Sequence, residues 1–383
     1  MTLYVAVGRQ LHIYDEDLTG RTLHPSGAGI LLPAAIQYCW FHPHLPLVYV
    51  AYSDRSQETP GMVHGVQTLI LGGAMRLEFY GAPLRLTNRP IHLTLDNAGR
   101  YLLVAFNDPS ALAVFAIDEG GAPGLQIVQK VPLDAGIFAH QVRVAPDDRM
   151  VILVTRGNDA TDHRPEDPGA LKVFSMSAGR LHLVQSVGPH GGYNFGPRHL
   201  DFALDGSCLY VSLERQNSLA RFAIDGPGLD PEPTALVSTL GAPQSPQIRQ
   251  IAGAIHTSPC GNFLYVANRA DMRETFSGRE IFAGGENSIA VFRLDALSGE
   301  PVLIQTIAIG GYHPRSFAIH PSGKMLVAGA AQAMTVYENE QFRVVPAGLA
   351  LFHIEQGGTL SLILNIDVDT GRDSLFWCGF SKF

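Results

Sequence analysis

Arg198-His199-Leu200-Asp201-Phe202-Ala203-Leu204 runs into a turn, then into Leu209-Tyr210-Val211-Ser212, and then into Leu219-Ala220-Arg221-Phe222-Ala223-Ile224. Short alternating or apolar runs separated by Asp, Gly and Asn read as antiparallel strands joined by tight turns. The first segment has five counterparts: Gln37-Tyr38-Cys39-Trp40-Phe41-His42-Pro43, Ile91-His92-Leu93-Thr94-Leu95-Asp96-Asn97, His140-Gln141-Val142-Arg143-Val144-Ala145-Pro146, Gly253-Ala254-Ile255-His256-Thr257-Ser258-Pro259 and Arg315-Ser316-Phe317-Ala318-Ile319-His320-Pro321. Each leads into an apolar strand such as Phe263-Leu264-Tyr265-Val266-Ala267, a third strand such as Ile289-Ala290-Val291-Phe292-Arg293-Leu294, and a fourth such as Leu303-Ile304-Gln305-Thr306-Ile307. A repeat of about fifty to sixty residues, carrying four antiparallel strands and no long amphipathic helix, is the pattern of a β-propeller blade.

Six copies leave one blade to be completed from the two ends of the chain. Leu3 to Val7 and Leu11 to Asp15 supply two of its strands, and Ser374-Leu375-Phe376-Trp377-Cys378-Gly379-Phe380 supplies the innermost one. The expectation is therefore an all-β, seven-bladed β-propeller occupying 1–383 as a single domain, its first and last blades joined without a free sheet edge. A pair of β-sandwiches or a β-helix fits the four-strand period less well. A WD-type scaffold is disfavoured because neither Trp40 nor Trp377 precedes an Asp.

Composition narrows the function classes. With 46% apolar residues, 40 glycines and 25 prolines, the chain has a large core and many turns rather than a disordered character. A net charge of −8 without any block of Lys and Arg argues against a nucleic-acid backbone as partner. Met1-Thr2-Leu3-Tyr4-Val5-Ala6-Val7 passes straight into a strand pattern with no basic or apolar leader, which points to a cytoplasmic protein without a membrane partner. Cys39, Cys208, Cys260 and Cys378 show no CxxC pairing and are expected to be buried, reduced thiols.

The inner strand of a blade lines the central channel, and the second strand returns beside it. The start of one and the end of the other therefore meet at one mouth. The residues six before the aligned turn are Gln37, Ile91, His140, Arg198, Gly253 and Arg315; those ten after it include Asn107, Arg156, Glu214 and Arg269. Their equal distance from the turn makes them approximate cross-strand neighbours. A lone Arg or His at a strand end is ordinarily a solvated rim residue, but so many at two equivalent positions imply a site. Charges gathered around a narrow channel must pair with each other or with a ligand, so Arg198, Glu214 and Arg269 are expected to form a network. His140 has the chemistry of a general base near neutral pH, Glu214 that of a group orienting it or sharing its proton, and the arginines that of carboxylate, phosphate or oxyanion holders. His199 follows Arg198 and by alternation points away from the channel unless the strand bulges. There is no GxSxG, HExxH or GxxxxGK[ST] motif, which favours water over a serine or cysteine as nucleophile.

At these residues the chain resembles the bacterial 6-phosphogluconolactonase-type propeller family, which also includes the fungal carboxymuconate-lactonizing enzyme. The resemblance runs along nearly the whole chain through Gly196-Pro197-Arg198-His199-Leu200, Leu209-Tyr210-Val211 leading to Glu214, Leu264-Tyr265-Val266-Ala267-Asn268-Arg269, Asn287-Ser288-Ile289-Ala290-Val291-Phe292 and His313-Pro314-Arg315-Ser316-Phe317-Ala318-Ile319. It implies catalytic roles for His140, Arg198, Glu214 and Arg269, and a lactone substrate handled without metal or other cofactor. Two departures stand out: Phe138 occupies a place where the family often has His, and Thr155-Arg156 replaces a common Asp-Leu. Long loops at Tyr52 to His64, Gly157 to Pro168 and Ala270 to Glu286 are expected over the same mouth, where loops commonly set substrate choice.

The leading expectation is hydrolysis of a sugar-acid lactone, 6-phosphogluconolactone or a related aldonolactone, with an anionic small molecule as the partner. His199, Arg156, Arg315, Gln37, Asn107 and Tyr193 are candidate substrate-binding residues, and Arg273, Arg279 and His163 further candidates from the loops. One alternative is a muconate-type cycloisomerase or lactone isomerase, in which a carboxylate adds to an alkene and His140 or Glu214 delivers a proton to carbon. Another is a non-catalytic propeller that serves as a binding platform. Glu214 with Asn107 is too thin a donor set for calcium, so no metal is expected.

Overall fold

A computed structural model of the chain describes residues 1–17, 22–56, 58–72, 76–245 and 247–383. Among the described residues seven antiparallel sheets, five of four strands and two of five, follow one another along the chain as the blades of a β-propeller. The inner strands of blades 2 to 7 are Ala35–Phe41, Pro90–Leu95, Ala139–Val144, Pro197–Phe202, Ile251–Thr257 and Pro314–Ile319, which are the six aligned segments of the sequence. Blade 1 is built from both termini: Leu375–Ser381 is its inner strand and pairs antiparallel with Thr2–Val7.

The second strand of each blade is the hub of its packing. Leu47–Ser53, Met150–Thr155, Cys208–Leu213 and Met325–Ala330 are buried at every residue, because each is covered by a neighbouring blade on both faces. That is why these segments read as unbroken apolar runs rather than alternating ones. Seven apolar clusters result, one between each pair of adjacent blades. The tyrosine of the recurrent Leu-Tyr-Val step pins neighbouring blades together. Its buried hydroxyl needs an acceptor, and Tyr210 Oη donates to Gly299 O at 2.7 Å and Tyr265 Oη to Gly358 O at 2.8 Å, each in the next blade.

The terminal inner strand belongs to two of these clusters, placing Trp377 against blade 2 and Leu375, Cys378 and Phe380 against blade 7. Deleting residues 374–383 is therefore expected to abolish cooperative thermal unfolding of the whole ring; a truncated protein with an unchanged melting curve would show that this strand does not close it.

All four cysteines are free, but only three match expectation: Cys39, Cys208 and Cys378 are buried, whereas Cys260 is exposed in the turn after the blade 6 inner strand. Among the described residues no helix is long and apolar enough to cross a membrane. Two extra hairpins stand on the loop side of blades 6 and 7, formed by Arg273–Phe276 with Arg279–Phe282 and by Met334–Glu338 with Gln341–Val345. They pack together through Phe276, Tyr337 and Phe342, with Phe276 and Tyr337 ring centroids 4.6 Å apart.

Candidate active site

Every inner strand slips register by one residue near its start. The residues left without a cross-strand partner are Gln37, Ile91, His140, Arg198 and Arg315 in blades 2, 3, 4, 5 and 7, Gly253 and Ala254 in blade 6, and Phe376 in blade 1. A β-bulge inserts an unpaired residue and turns the strand locally, so that residues adjacent in sequence can face the same side. This corrects the simple cross-strand count: Pro197 pairs with Leu213 and His199 with Ser212, leaving Arg198 unpaired instead of opposite Glu214. It also settles His199. The bulge brings it into the channel beside His140, with ring centroids 5.1 Å apart.

Gln37, Tyr38, His140, Arg198, His199, His256 and Arg315 share a narrow cavity of about 30 Å³ with Phe376 and Trp377. Deeper in the channel, His92 lies 6.1 Å from His199 and 3.9 Å from Tyr38 between ring centroids, and Arg143 Nη2 donates to Asp201 Oδ1 at 2.7 Å. A wider recess of about 400 Å³ opens next to the cavity, lined by Arg156, Glu214, Arg249 and the segment before the blade 6 inner strand.

Glu214 lines the wider recess, bonds to the cavity residue Arg198 and is 4% exposed. Its Oε1 accepts from Arg198 Nη1 and from Arg269 Nη2, both at 2.8 Å, and its Oε2 accepts from Arg156 Nη1 at 3.2 Å. Burial pushes the Glu214 carboxyl up, but the charges of Arg198, Arg269 and Arg156 outweigh it and hold the group well below the usual carboxylate range. Three guanidiniums against one carboxylate leave the cluster net positive. Each arginine spends only part of its five donors on Glu214, and the Nε atoms of Arg156, Arg198 and Arg269 are buried without a partner. Burial and Arg198 bring Arg269 down to about 9, so it remains a cation at neutral pH.

Local backbone makes room for this arrangement. A Cβ on Gly253 would lie 2.9 Å from Arg269 Nε and 3.2 Å from Ala267 O, so the blade 6 bulge needs glycine for Arg269 to reach across. Two residues before the bulge, Phe138, Gly196 and His313 take positive φ of 57°, 49° and 56°. Such conformations cost non-glycine residues on the order of 1 kcal/mol or more and concentrate at functional sites. Phe138 places its ring 4.5 Å from the Arg156 guanidinium.

His140 is buried, and its Nδ1 has no hydrogen-bond partner. Burial, then the charges of Arg198, Arg315, Arg156 and Arg269, push its pKa well below that of free histidine, so it is a neutral imidazole. Glu214 makes its hydrogen bonds to the arginines and none to His140, so it anchors cations instead of orienting the imidazole. Arg315 carries no ion pair among the described residues and lies 3.8 Å over the Phe376 ring.

The remaining candidates fall elsewhere. Asn107 is buried at the end of its strand opposite Ser110 and makes no bond to the cluster. Tyr193 is 54% exposed and His163 lies on the surface of the 157–168 loop. Arg273 pairs with Glu280, and Arg279 stacks on Phe342, both within the hairpin region. In the loop 52–64, residue 57 lies outside the described residues; Asp54 Oδ1 ties that loop by accepting from the backbone N–H of Met62 and Val63.

Sequence reasoning missed three polar residues at the mouth. His313 Nδ1 lies 3.2 Å from Asp271 Oδ2, and burial together with Arg269, Arg315 and Arg198 pushes its pKa down to about 2. Arg89, in the link between blades 2 and 3, donates from Nε to Gln37 Oε1 at 2.7 Å. The left-handed backbone of His313 before the blade 7 bulge is a feature of the fold that the sequence does not display, and Arg89 and Asp271 lie outside the repeat.

A family model described as lactonase, seven-bladed β-propeller, matches residues 32–341. The chain belongs to this lactonase family. Among its relatives, a protein named 6-phosphogluconolactonase from Serratia proteamaculans is 25% identical over 93% of this chain and 96% of its own length. One of the same name from Bacillus subtilis is 24% identical over 62% of each chain. In fold, the propeller is similar to the periplasmic gluconolactonase of Pseudomonas aeruginosa, with a TM-score of 0.72, 21% identity and 96% of both chains covered. A Lactobacillus plantarum protein superimposes with the same TM-score over 99% of both chains at 21% identity. In this member of the family the bulges at the start of the inner strands and the ends of the second strands thus gather a neutral histidine and a cationic cluster at one mouth.

Proposed function

We propose that this propeller lactonase hydrolyses a sugar-acid lactone, without a metal ion, at the mouth formed by the inner-strand bulges. The observation that carries the reading is the neutral, buried His140 sharing one cavity with Arg198, whose guanidinium is held by Glu214. The names of the 6-phosphogluconolactonase and gluconolactonase relatives support the same substrate class.

His140 takes a proton from water as its oxygen attacks the lactone carbonyl. Arg198 and Arg269 hold the oxyanion through donors that Glu214 does not occupy, and cations already fixed in place need no reorganisation during reaction. The tetrahedral intermediate then expels the ring oxygen, which recovers the proton from His140. The new carboxyl group ionises and releases one proton to solvent. Glu214 is a positioning residue that holds three guanidiniums close together against their mutual repulsion. Arg156, His199 and Arg315 complete the polar wall around the bound lactone.

Acid release from a panel of aldonolactones, including 6-phosphogluconolactone, followed in a pH-stat, tests this directly. The wild-type protein is expected to release acid with and without chelator, and Arg198→Ala to lose about 10²- to 10³-fold in turnover, the size expected for an oxyanion donor. Loss of wild-type activity on chelation would overturn the metal-free reaction. An Arg198→Ala protein as active as the wild type would remove the oxyanion role.

A further inference from the structure

The cations at the mouth fall into two groups. Arg156, Arg198 and Arg269 converge on Glu214 from blades 4, 5 and 6. Arg315 and Arg89 lie on the other side, flanking the bulge residues Phe376 of blade 1 and Gln37 of blade 2, and neither has a carboxylate partner among the described residues. Gln37 is only 5% exposed and is fixed at both ends of its amide: Nε2 donates to Ala35 O at 2.9 Å, and Oε1 accepts from Arg89 Nε at 2.7 Å. It therefore sets the orientation of the Arg89 guanidinium. Phe376 does the same for Arg315 by stacking under it at 3.8 Å. Burial, then the charges of Arg198, Arg269 and Arg89, depress Arg315, and burial with the Arg55 charge brings Arg89 itself down to about 10. Gln37, Phe376 and Arg315 line one cavity, so two planar guanidiniums, each oriented by a neutral neighbour and neither held by a carboxylate among the described residues, flank it as a receptor for an anion.

Resting on the lactone-hydrolase reading, we infer that Arg89 and Arg315, oriented by Gln37 and Phe376, form a second anion subsite that selects lactones carrying a phosphate or carboxylate remote from the reacting carbonyl. The seven-fold ring separates the two tasks. His140, Arg198 and Glu214 serve the carbonyl from blades 4 and 5, and the subsite faces them across the channel from blades 7, 1 and 2. A ligand bridging the ring places its distal anion on Arg89 and Arg315 when its carbonyl lies beside His140. Arg89 lies outside the strand repeat, so this selectivity is a property of the link between blades 2 and 3.

Calorimetric binding of three sugar acids tests the subsite apart from turnover: gluconate, with one anion; glucarate, with a distal carboxylate; and 6-phosphogluconate, with a distal phosphate. The wild-type protein is expected to prefer one or both doubly anionic ligands over gluconate by about tenfold or more, the size of a charge-assisted pair of hydrogen bonds. Which ligand shows the preference identifies the distal group. Arg89→Gln is expected to collapse that ratio below about threefold, and Arg89→Lys, which keeps the charge but not the planar fork, to leave an intermediate ratio. No preference in the wild-type protein, a preference that survives in Arg89→Gln, or an equal loss for all three ligands would overturn the inference. A protein that shows the preference yet releases no acid from any lactone would instead overturn the hydrolase reading and leave the anion subsite standing.

Discussion

Glu214→Gln is expected to destabilise the protein by about 3–5 kcal/mol, the range for removing one partner of a buried ion pair, and to lower its melting temperature accordingly. The substitution leaves Arg198 and Arg269, 5% and 1% exposed, facing Arg156 with no carboxylate between them. Acid should expose the same dependence. The folded-state pKa of Glu214 lies below its ordinary 4.5, so its contribution is fully present above that pH and is lost as pH falls toward the folded value. The difference between wild type and variant should hence stay constant from neutral pH down to about 5 and shrink below about 4.5. The histidines of the channel and its mouth act earlier. His92, His140, His199, His256 and His313 all have folded pKa values below their ordinary 6.5, so the unfolded chain takes up protons first and both proteins weaken as pH falls through that value. Melting curves from pH 8 to pH 3 measure all of this. A gap between the two proteins that persists unchanged below pH 4 would mean that Glu214 is not held ionised by its arginines.

His140→Ala is expected to reduce turnover by about 10²- to 10⁴-fold, the usual contribution of a positioned general base. The neutral imidazole also shapes the pH profile. Because burial and four guanidiniums keep the His140 pKa well below 6.5, its basic form persists into mildly acidic solution. The wild-type rate should be level from pH 8 down through 6.5 and should fall only at lower pH. Initial rates on the preferred lactone, corrected for spontaneous hydrolysis, check both points. Unaltered turnover in the variant would remove His140 from the mechanism, and a midpoint at or above 6.5 would show that the surrounding cations do not depress it in solution.

The blades were legible because strand periodicity and turn chemistry are local properties. Leu209-Tyr210-Val211-Ser212 can be recognised as an interior strand without knowing its neighbours, and six aligned repeats locate six inner strands. Position in the repeat also brought His140, Arg198, Glu214 and Arg269 onto one short list, since equivalent positions of a closed ring meet at one mouth. The side chains of Tyr193, His163, Arg273 and Arg279 were not placed by any such rule; loop backbone has no period, and the fold carries these residues to its surface or into hairpin contacts.

The bulges mark the limit of reading by alternation. A period of two assigns His199 to the wrong face, and one unpaired residue at Arg198 reverses that assignment. Gly253 has meaning only beside Arg269, and Arg89 only beside Gln37, partners that lie in different strands or blades. By itself the sequence determined a seven-bladed propeller closed through its two ends, because repeated strands with apolar faces must be covered by neighbours. The tertiary structure decided which charges meet. Glu214 turned out to hold arginines and leave His140 unpaired, because the pairing of buried charges depends on ångström distances between blades that strand periodicity does not encode.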